Sequence, residues 1–405
     1  MIYRQDKYGN LISQLGYGCM RFTKKGAGID YKKAEREVLC AIDVGVNYFD
    51  TAYLYPGNEE CLGRILGENH CRDKINIATK LPQYVMKSMK EIDKTFNAEL
   101  TRLRTDYIDY YLMHMFTDLA EWENLKSFGI EKWIREQKAS GRIRQIGFSY
   151  HGSQEMFLKI LDAYDWDFCQ IQYNYMDEHT QAGRRGLETA ASKGIPVIIM
   201  EPLRGGKLVN LPDNAARKLT ASGSGMSAAE LGLRWLWNQP GVTCVLSGMN
   251  SIEMLQENVR IAGEAAVGSF TKEDDQLVEE IKACIREKEK VGCTGCRYCM
   301  PCPAGVDIPA VFHYYNQMYL STKREGRFEF ARNVCLQIEP GVATRCVGCG
   351  KCEKHCPQGI SIREKLKEAD RALRPPAYKL GIEIARRIMK RRKMQRKSLE
   401  ENERV

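Results

Sequence analysis

The chain of 405 residues is long enough for two or three domains at the usual ~150 residues each, which excludes a small disulfide-stapled scaffold. With 43% hydrophobic and 28% charged residues and no apolar run near the ~20 residues of a membrane helix, it reads as soluble and globular, and the opening MIYRQDKYGN lacks a leader's apolar stretch, so the expected location is the cytoplasm. The net charge of +9 is concentrated, since residues 371–405 carry 12 Lys and Arg against 4 Asp and Glu; a whole-chain argument for nucleic-acid binding reduces to a question about one tail.

From residue 1 to about 265, short β-rich runs alternate with stretches of helical period, the mark of βα units around a parallel sheet. Strands are expected near Ser13–Gly16 and over Val46–Thr51, Ile75–Lys80, Tyr107–His114, Ile143–Ser149, Phe168–Tyr173, Pro196–Glu201 and Thr243–Ser247. Helical segments are expected at Tyr31–Val44, Ser88–Leu103, Trp122–Ala139, Ser153–Tyr164, Gln181–Lys193 and Ala228–Asn238. Eight strands in about 250 residues is the arithmetic of an α/β chain built as a (β/α)8 TIM barrel. The runner-up, a doubly wound open sheet, usually has fewer strands and a Gly-rich turn after the first. Pro202–Met226 shows no clear period and is expected as a long loop after the seventh strand, at the face where barrel sites are built. A charged helix with Thr271 as its N-cap follows. The expected organisation is a barrel over 1–270, a linker helix over 271–290, a cysteine-rich module over 291–370 and a basic helical tail over 371–405.

Of the 16 cysteines, eight fall in two runs: Cys293, Cys296, Cys299 and Cys302 in CTGCRYCMPCP, and Cys346, Cys349, Cys352 and Cys356 in CVGCGKCEKHCP. The second is the C-x2-C-x2-C-x3-C-P spacing of bacterial ferredoxins, in which three thiolates hold one cubane and the fourth reaches the other. The first is one residue shorter before its last cysteine, which still lets Cys302 leave the loop toward the other cluster. The expectation is a ferredoxin-like domain with two [4Fe–4S] clusters and crossed ligation: Cys293, Cys296 and Cys299 with Cys356, and Cys346, Cys349 and Cys352 with Cys302. Two structural zinc sites are the competing reading, although zinc usually takes two separated pairs rather than four cysteines in one short run. The other cysteines are read as small buried hydrophobes.

NYFDTAYLYPGNEECLG closes the second expected strand, IATK the third and YYLMH the fourth. At these residues the chain resembles the aldo-keto reductase superfamily, in the branch carrying a ferredoxin-like domain. Asp50, Tyr55, Lys80 and His114 match that family's tetrad. The resemblance implies a nicotinamide cofactor, NADP or NAD, and the interconversion of a carbonyl and an alcohol. Reduction by hydride leaves an alkoxide needing a proton, and a free tyrosine with a pKa of ~10 is a reluctant donor. Lys80 would bring the Tyr55 pKa nearer the working pH, Asp50 would hold Lys80, and His114 would donate to the substrate oxygen. By the same resemblance Ser149 and Gln172 would hold the carboxamide. Arg204 and Lys207 in MEPLRGGKL would meet the pyrophosphate, and Ser247, Glu257 and Asn258 in SGMNSIEMLQEN the adenosine end. Met200 stands where the family usually has a stacking aromatic, and Gly248 and Met254 where basic residues usually hold the 2′-phosphate. The choice between NADH and NADPH therefore stays open, and so does room for a flavin, here or on a partner flavoprotein.

Tyr378–Lys397 reads as a basic amphipathic helix with Leu380, Ile384 and Ile388 on one side. Packing of that stripe on the protein is the first reading. Docking of an acidic ferredoxin or flavodoxin comes second, an anionic membrane surface third and nucleic acid last. The expected function is an oxidoreductase on a small carbonyl or alcohol, with clusters for electron transfer. Two alternatives stand beside it: an electron-transfer or scaffold protein with a silent barrel, and a barrel enzyme with purely structural clusters.

Overall fold

The structure, a computed structural model, describes residues 1–26, 28–288, 290–293, 295, 299–320, 322–337, 339–356 and 358–387. The chain divides into two compact units, Met1–Glu280 and Ile281 onward. The division falls inside the helix Lys272–Arg286, and each unit is described by itself.

In the first unit eight parallel strands close into a barrel: β1 Leu15–Gly18, β2 Tyr48–Asp50, β3 Asn76–Leu81, β4 Ile108–Phe116, β5 Ile143–Tyr150, β6 Phe168–Gln172, β7 Val197–Met200 and β8 Val242–Ser247. Each pairs with its sequence neighbours, and β8 closes on β1 with Val245 beside Leu15. Covered on both faces, these strands read as nearly unbroken apolar runs, which is why they were legible. The lumen is filled by Tyr48, Ala78, Tyr110, Leu112, Phe168, Ile198, Cys244 and Leu246, joined by Ile12 of the antiparallel hairpin Tyr3–Gln5 and Leu11–Ser13. Side chains alternate along a strand, so the next inward positions after Tyr48, Ala78, Leu112, Phe168 and Ile198 are Asp50, Lys80, His114, Gln170 and Met200. An apolar plug thus supports a polar layer at the C-terminal ends of the strands.

Two segments differ from expectation. Trp122–Ala139 is two helices, Leu119–Phe128 and Ile130–Ala139, because Gly129 between them adopts a left-handed φ of 92°. Pro202–Met226 is not all loop: it holds the turn Arg204–Gly206 and the helix Asp213–Ala221, whose one buried residue, Ala215, leaves no apolar period to detect.

The second unit packs the helices Ile308–Leu320, Lys323–Phe330 and Ile362–Leu373 around Val306, Val311, Phe312, Phe330, Leu366 and Leu373. Toward its end the described chain is helical to Arg387. The apolar stripe expected to pack there does not: Leu380 and Ile384 are 62% and 50% exposed, whereas Ile382 leans on the core. Ile388 and the rest of the tail lie outside the described residues. Among the described residues no helix is long and apolar enough to cross a membrane.

One close approach fixes the helix layer beside β2 and β3. Gly63, in the helix Asn58–Glu68, lies against the end of the helix Met89–Leu103, where a Cβ would overlap the Arg102 carbonyl and stand 2.6 Å from Leu103 Cα. Gly63→Ala is expected to cost about 1–3 kcal/mol, read in calorimetry as a Tm lower by ~2–12 °C; an unchanged Tm would show that the two helices are not locked at this distance.

Candidate functional site

The polar layer is built around Lys80. Its ammonium lies 2.6 Å from both carboxylate oxygens of Asp50 and 2.6 Å from the Thr51 carbonyl, with side chains 2% and 6% exposed. Burial works against the charge on Lys80, but the Asp50 carboxylate and then Tyr55 outweigh it and hold the pKa above the ordinary lysine value. Tyr55 sits in the turn after β2, where its N–H donates to Ala52 and its carbonyl accepts from Asn58. Its ring centroid is 5.3 Å from Lys80 Nζ and 6.3 Å from the His114 ring, edge-on at 84°. Burial is the largest influence on the Tyr55 hydroxyl and raises its pKa; Lys80 pulls it down and Asp50 pushes it up. The net direction is upward, contrary to the sequence expectation, because a phenolate in this closed pocket loses more hydration than one ammonium restores.

His114 comes from a distorted strand end. The pairing of β4 with β5 shifts register between Met113 and Phe116, and Met115 has a left-handed φ of 59°. This bulge is pinned by the Met115 N–H, which donates to Ser149 Oγ at 2.8 Å. His114 is buried, its Nδ1 meets no partner, and burial, then Lys80 and His151, push its pKa well below 6.5. It is a neutral imidazole beside a charged lysine.

Ser149 and Gln172, expected together, are not neighbours in the ladder. Ser149 faces Gln170 across β5 and β6, whereas Gln172 stands one inward position further along, beside Met200. There Gln172 donates to Asp177 at 3.3 Å and accepts from Gln181. Gln170 donates to Asp50 at 3.3 Å, and its buried Oε1 has no partner. An orphaned acceptor next to a serine hydroxyl suits a carboxamide, which offers both an N–H and a C=O. Gln170 is therefore a site residue the sequence reading missed; strand parity made it equivalent to Gln172, and only the cross-strand register separates them.

The expected nucleotide contacts divide in the same way. Arg204 is buried and bidentate with Asp177, its Nε 2.7 Å from Oδ2, so its fork ties the loop after β6 to the loop after β7. Lys207 is half-buried in the same loop. Asn258 donates to Ser247 Oγ at 2.9 Å, and Glu257 accepts from Ser227 at 2.7 Å. A second missed residue is Arg21, in the turn after β1. Its aliphatic stem covers Gly248, where a Cβ would collide with it, and its Nη2 is 3.1 Å from where a Cβ of Gly205 would stand. It makes no ion pair or hydrogen bond with any described residue, so an exposed cation spans the loops after β7 and β8, where barrels commonly bind phosphate.

In the second unit a cavity of about 340 Å³ is lined by Cys299, Cys302, Cys346, Cys349 and Cys352, with His355 and Arg363. Cys293 and Cys356 are half-buried against the core and do not line it; Cys296 lies outside the described residues. No three His, Cys, Asp or Glu side chains among the described residues converge on one point, as a mononuclear zinc site requires. In a cubane each thiolate binds a different iron, so its sulfurs stand apart around a volume, and five cysteines around one cavity fit that group. The remaining thiols, such as Cys61 and Cys335, are buried and pushed up by burial to about 11.

Comparison with known proteins bears on both units. Residues 14–283 match the aldo/keto reductase family, and residues 292–360 match a 4Fe-4S dicluster domain. The Bacillus subtilis oxidoreductase YqkF is 28% identical over 309 residues, covering 65% of this chain and 94% of the relative. Methylglyoxal reductase YeaE of Escherichia coli is 29% identical over 249 residues, 58% of this chain and 81% of YeaE. The holo structure of aldo-keto reductase AKR11C1 from Bacillus halodurans superposes with a TM-score of 0.57 at 27% identity, covering 69% of this chain and 96% of that one. A Klebsiella pneumoniae aldo/keto reductase solved with NADP and acetate reaches the same TM-score at 21% identity, covering 69% and 95%, and shares the fold. With the family match running over more than half of the chain, the protein belongs to the aldo/keto reductase family and continues in sequence into a 4Fe-4S dicluster domain.

Proposed function

We propose that the barrel reduces a small carbonyl compound with a bound nicotinamide nucleotide, and that the C-terminal unit holds two [4Fe–4S] clusters that exchange single electrons. The observation that carries the first part is the buried Lys80–Asp50 pair set beside the Tyr55 ring, with neutral His114 edge-on to it. The nicotinamide, when bound, supplies hydride to the carbonyl carbon. Tyr55, kept protonated by burial, gives its phenolic proton to the oxygen that becomes alkoxide, and Lys80 stabilises the phenolate left behind. His114 donates a hydrogen bond to the same oxygen without carrying a competing charge. Ser149 and Gln170 orient the carboxamide, and Arg21 with Lys207 meets the diphosphate, since Arg204 is held by Asp177. NADP in the names of a fission-yeast relative and the Klebsiella structure supports that nucleotide class.

The redox reading of the clusters is supported by Cys349, which lines the cluster cavity and is exposed, so the edge of a bound cluster would be open to a partner. Hydride carries two electrons and each cluster takes one, so a flavin, bound here or on a partner, is the group that divides the pair. Crossed ligation is supported by the cavity, which Cys302 shares with Cys346, Cys349 and Cys352 and which Cys356 does not line; Cys299, assigned to the other cluster, lines it as well.

Tyr55→Phe is expected to lower kcat for carbonyl reduction ~10²–10⁴-fold while nucleotide affinity, read by fluorescence titration, stays within about twofold. Wild-type turnover on a verified substrate would remove Tyr55 from the mechanism. The pH profile carries an independent check. Reduction needs the protonated phenol, whose pKa is raised, so its rate should stay level from pH 6 to 9 and decline only beyond 10; His114, titrating well below 6.5, adds no acid limb in that window. A decline already complete by pH 9 would mean that another group donates the proton. For the clusters, Cys302→Ser should perturb the EPR signal of the cluster bound by Cys346, Cys349 and Cys352, and Cys356→Ser the other; the reverse pattern would establish ligation within each run.

A further inference from the structure

The two units differ in sign. Residues 281–405 hold 27 Lys and Arg against 14 Asp and Glu, whereas residues 1–280 hold 34 against 38. Part of that excess collects around the second cysteine run. Cys349, a lining residue of the cluster cavity, is exposed. Val347, two residues earlier, is 73% exposed, although Val342 and Ala343, which lead into the loop, are buried. Val347 and exposed Lys351 line the same cavity as Cys349, and exposed Arg345 and Lys354 lie within five residues of Cys349 in sequence. Lys351 and Lys354 have no carboxylate partner among the described residues, and Arg345 meets exposed Glu339 at a loose 3.6 Å, a pair worth little in water. Glu353 is the one acid between residues 340 and 363, and Arg363 holds it at 2.8 Å.

Val347 lines the cluster cavity yet stays 73% exposed, so the loop leaves both its valine and the Cys349 thiolate open to solvent rather than sealing the cluster. Here a small apolar side chain and an exposed ligand share a loop rich in exposed cations, the anatomy of a brief, electrostatically steered encounter. Redox encounters are among the smallest interfaces, so a patch of this size is sufficient. We infer that this face, Val347 and Cys349 with Arg345, Lys351 and Lys354, docks a small acidic iron–sulfur protein that carries one electron. The inference rests on the reading of the C-terminal unit as a redox module. One electron leaves the reduced carrier, which is oxidised by one, and enters the cluster at this loop, which is reduced by one; no bond forms and no proton moves.

The test uses the full chain with its clusters, mixed anaerobically with a reduced, acidic plant-type [2Fe–2S] ferredoxin, cluster reduction being followed by freeze-quench EPR. The bimolecular rate should fall ~10-fold or more between low and high salt. The double substitution K351E/K354E should lower the low-salt rate by a similar factor, and Val347→Gln should lower it at every salt concentration. K351R/K354R should behave as wild type, and reduction by photoexcited deazaflavin, a neutral molecule too small to dock, should be unchanged in all variants. A wild-type chain that shows no cluster signal overturns the redox reading and the docking with it. Intact clusters with rates indifferent to salt and to K351E/K354E overturn the docking alone, as does binding to anionic phosphatidylserine vesicles that the same substitutions abolish while electron transfer is untouched.

Discussion

An ammonium and a carboxylate sealed inside a barrel are the constraint on which this site depends. Neither Lys80 nor Asp50 can reach water, so each exists as an ion only because the other is 2.6 Å away and because the Thr51 carbonyl and Gln170 take up remaining hydrogen-bonding capacity. Removing one member of such a pair strands the other and typically costs about 3–5 kcal/mol. The pair therefore fixes the height of β2 against β3 and, through Gln170, of β6 against both. It also sets the electrostatics of its neighbours: Tyr55 stays a phenol because burial outweighs the lysine, and His114 stays neutral partly because the lysine is there. Phenol, imidazole and ion pair are one arrangement with one charge state.

Much of this was legible in the sequence, for a physical reason. Strands buried on both faces leave continuous apolar runs, and a residue two positions beyond the last lumen-filling side chain must appear at the barrel's mouth, where Asp50, Lys80 and His114, singled out by the family resemblance, stand. What was not legible depends on relations between distant segments. Parity along β6 cannot distinguish Gln170 from Gln172; the pairing with Ser149 does. Arg204 looked like an anion ligand because nothing near it in sequence revealed Asp177 as its partner. The helix Asp213–Ala221 was missed because it buries almost nothing, and the split at Gly129 because a single left-handed residue interrupts an otherwise sound helical period.

In the C-terminal unit the order of inference is reversed. There the cysteine spacing named the chemistry before any fold could be assigned, and the packing adds that six of those cysteines, Cys293, Cys299, Cys302, Cys346, Cys352 and Cys356, lie against the apolar core of the helices. The charge reading also changes. Taken from the sequence ends inward, the excess looked like a property of the tail alone; divided at the boundary between the units, most of it stays in the tail but residues 281–370 are basic too, with 15 Lys and Arg against 10 Asp and Glu, and the barrel is slightly acidic. Two sections of one chain thus present opposite signs to the same solvent.

Arg21 lying across Gly248 alters how this chain should be compared with its relatives. Position 248 looks like a lost phosphate ligand when aligned by itself, yet it is a vacated seat: the absence of a side chain is what admits a cation delivered from the other end of the barrel sequence. Restoring a basic residue at 248 would not add a charge to the site; it would evict the one already there. The two positions are thus tied sterically, one filled because the other is empty, and a side chain added at 248 must displace the Arg21 stem before it can be accommodated.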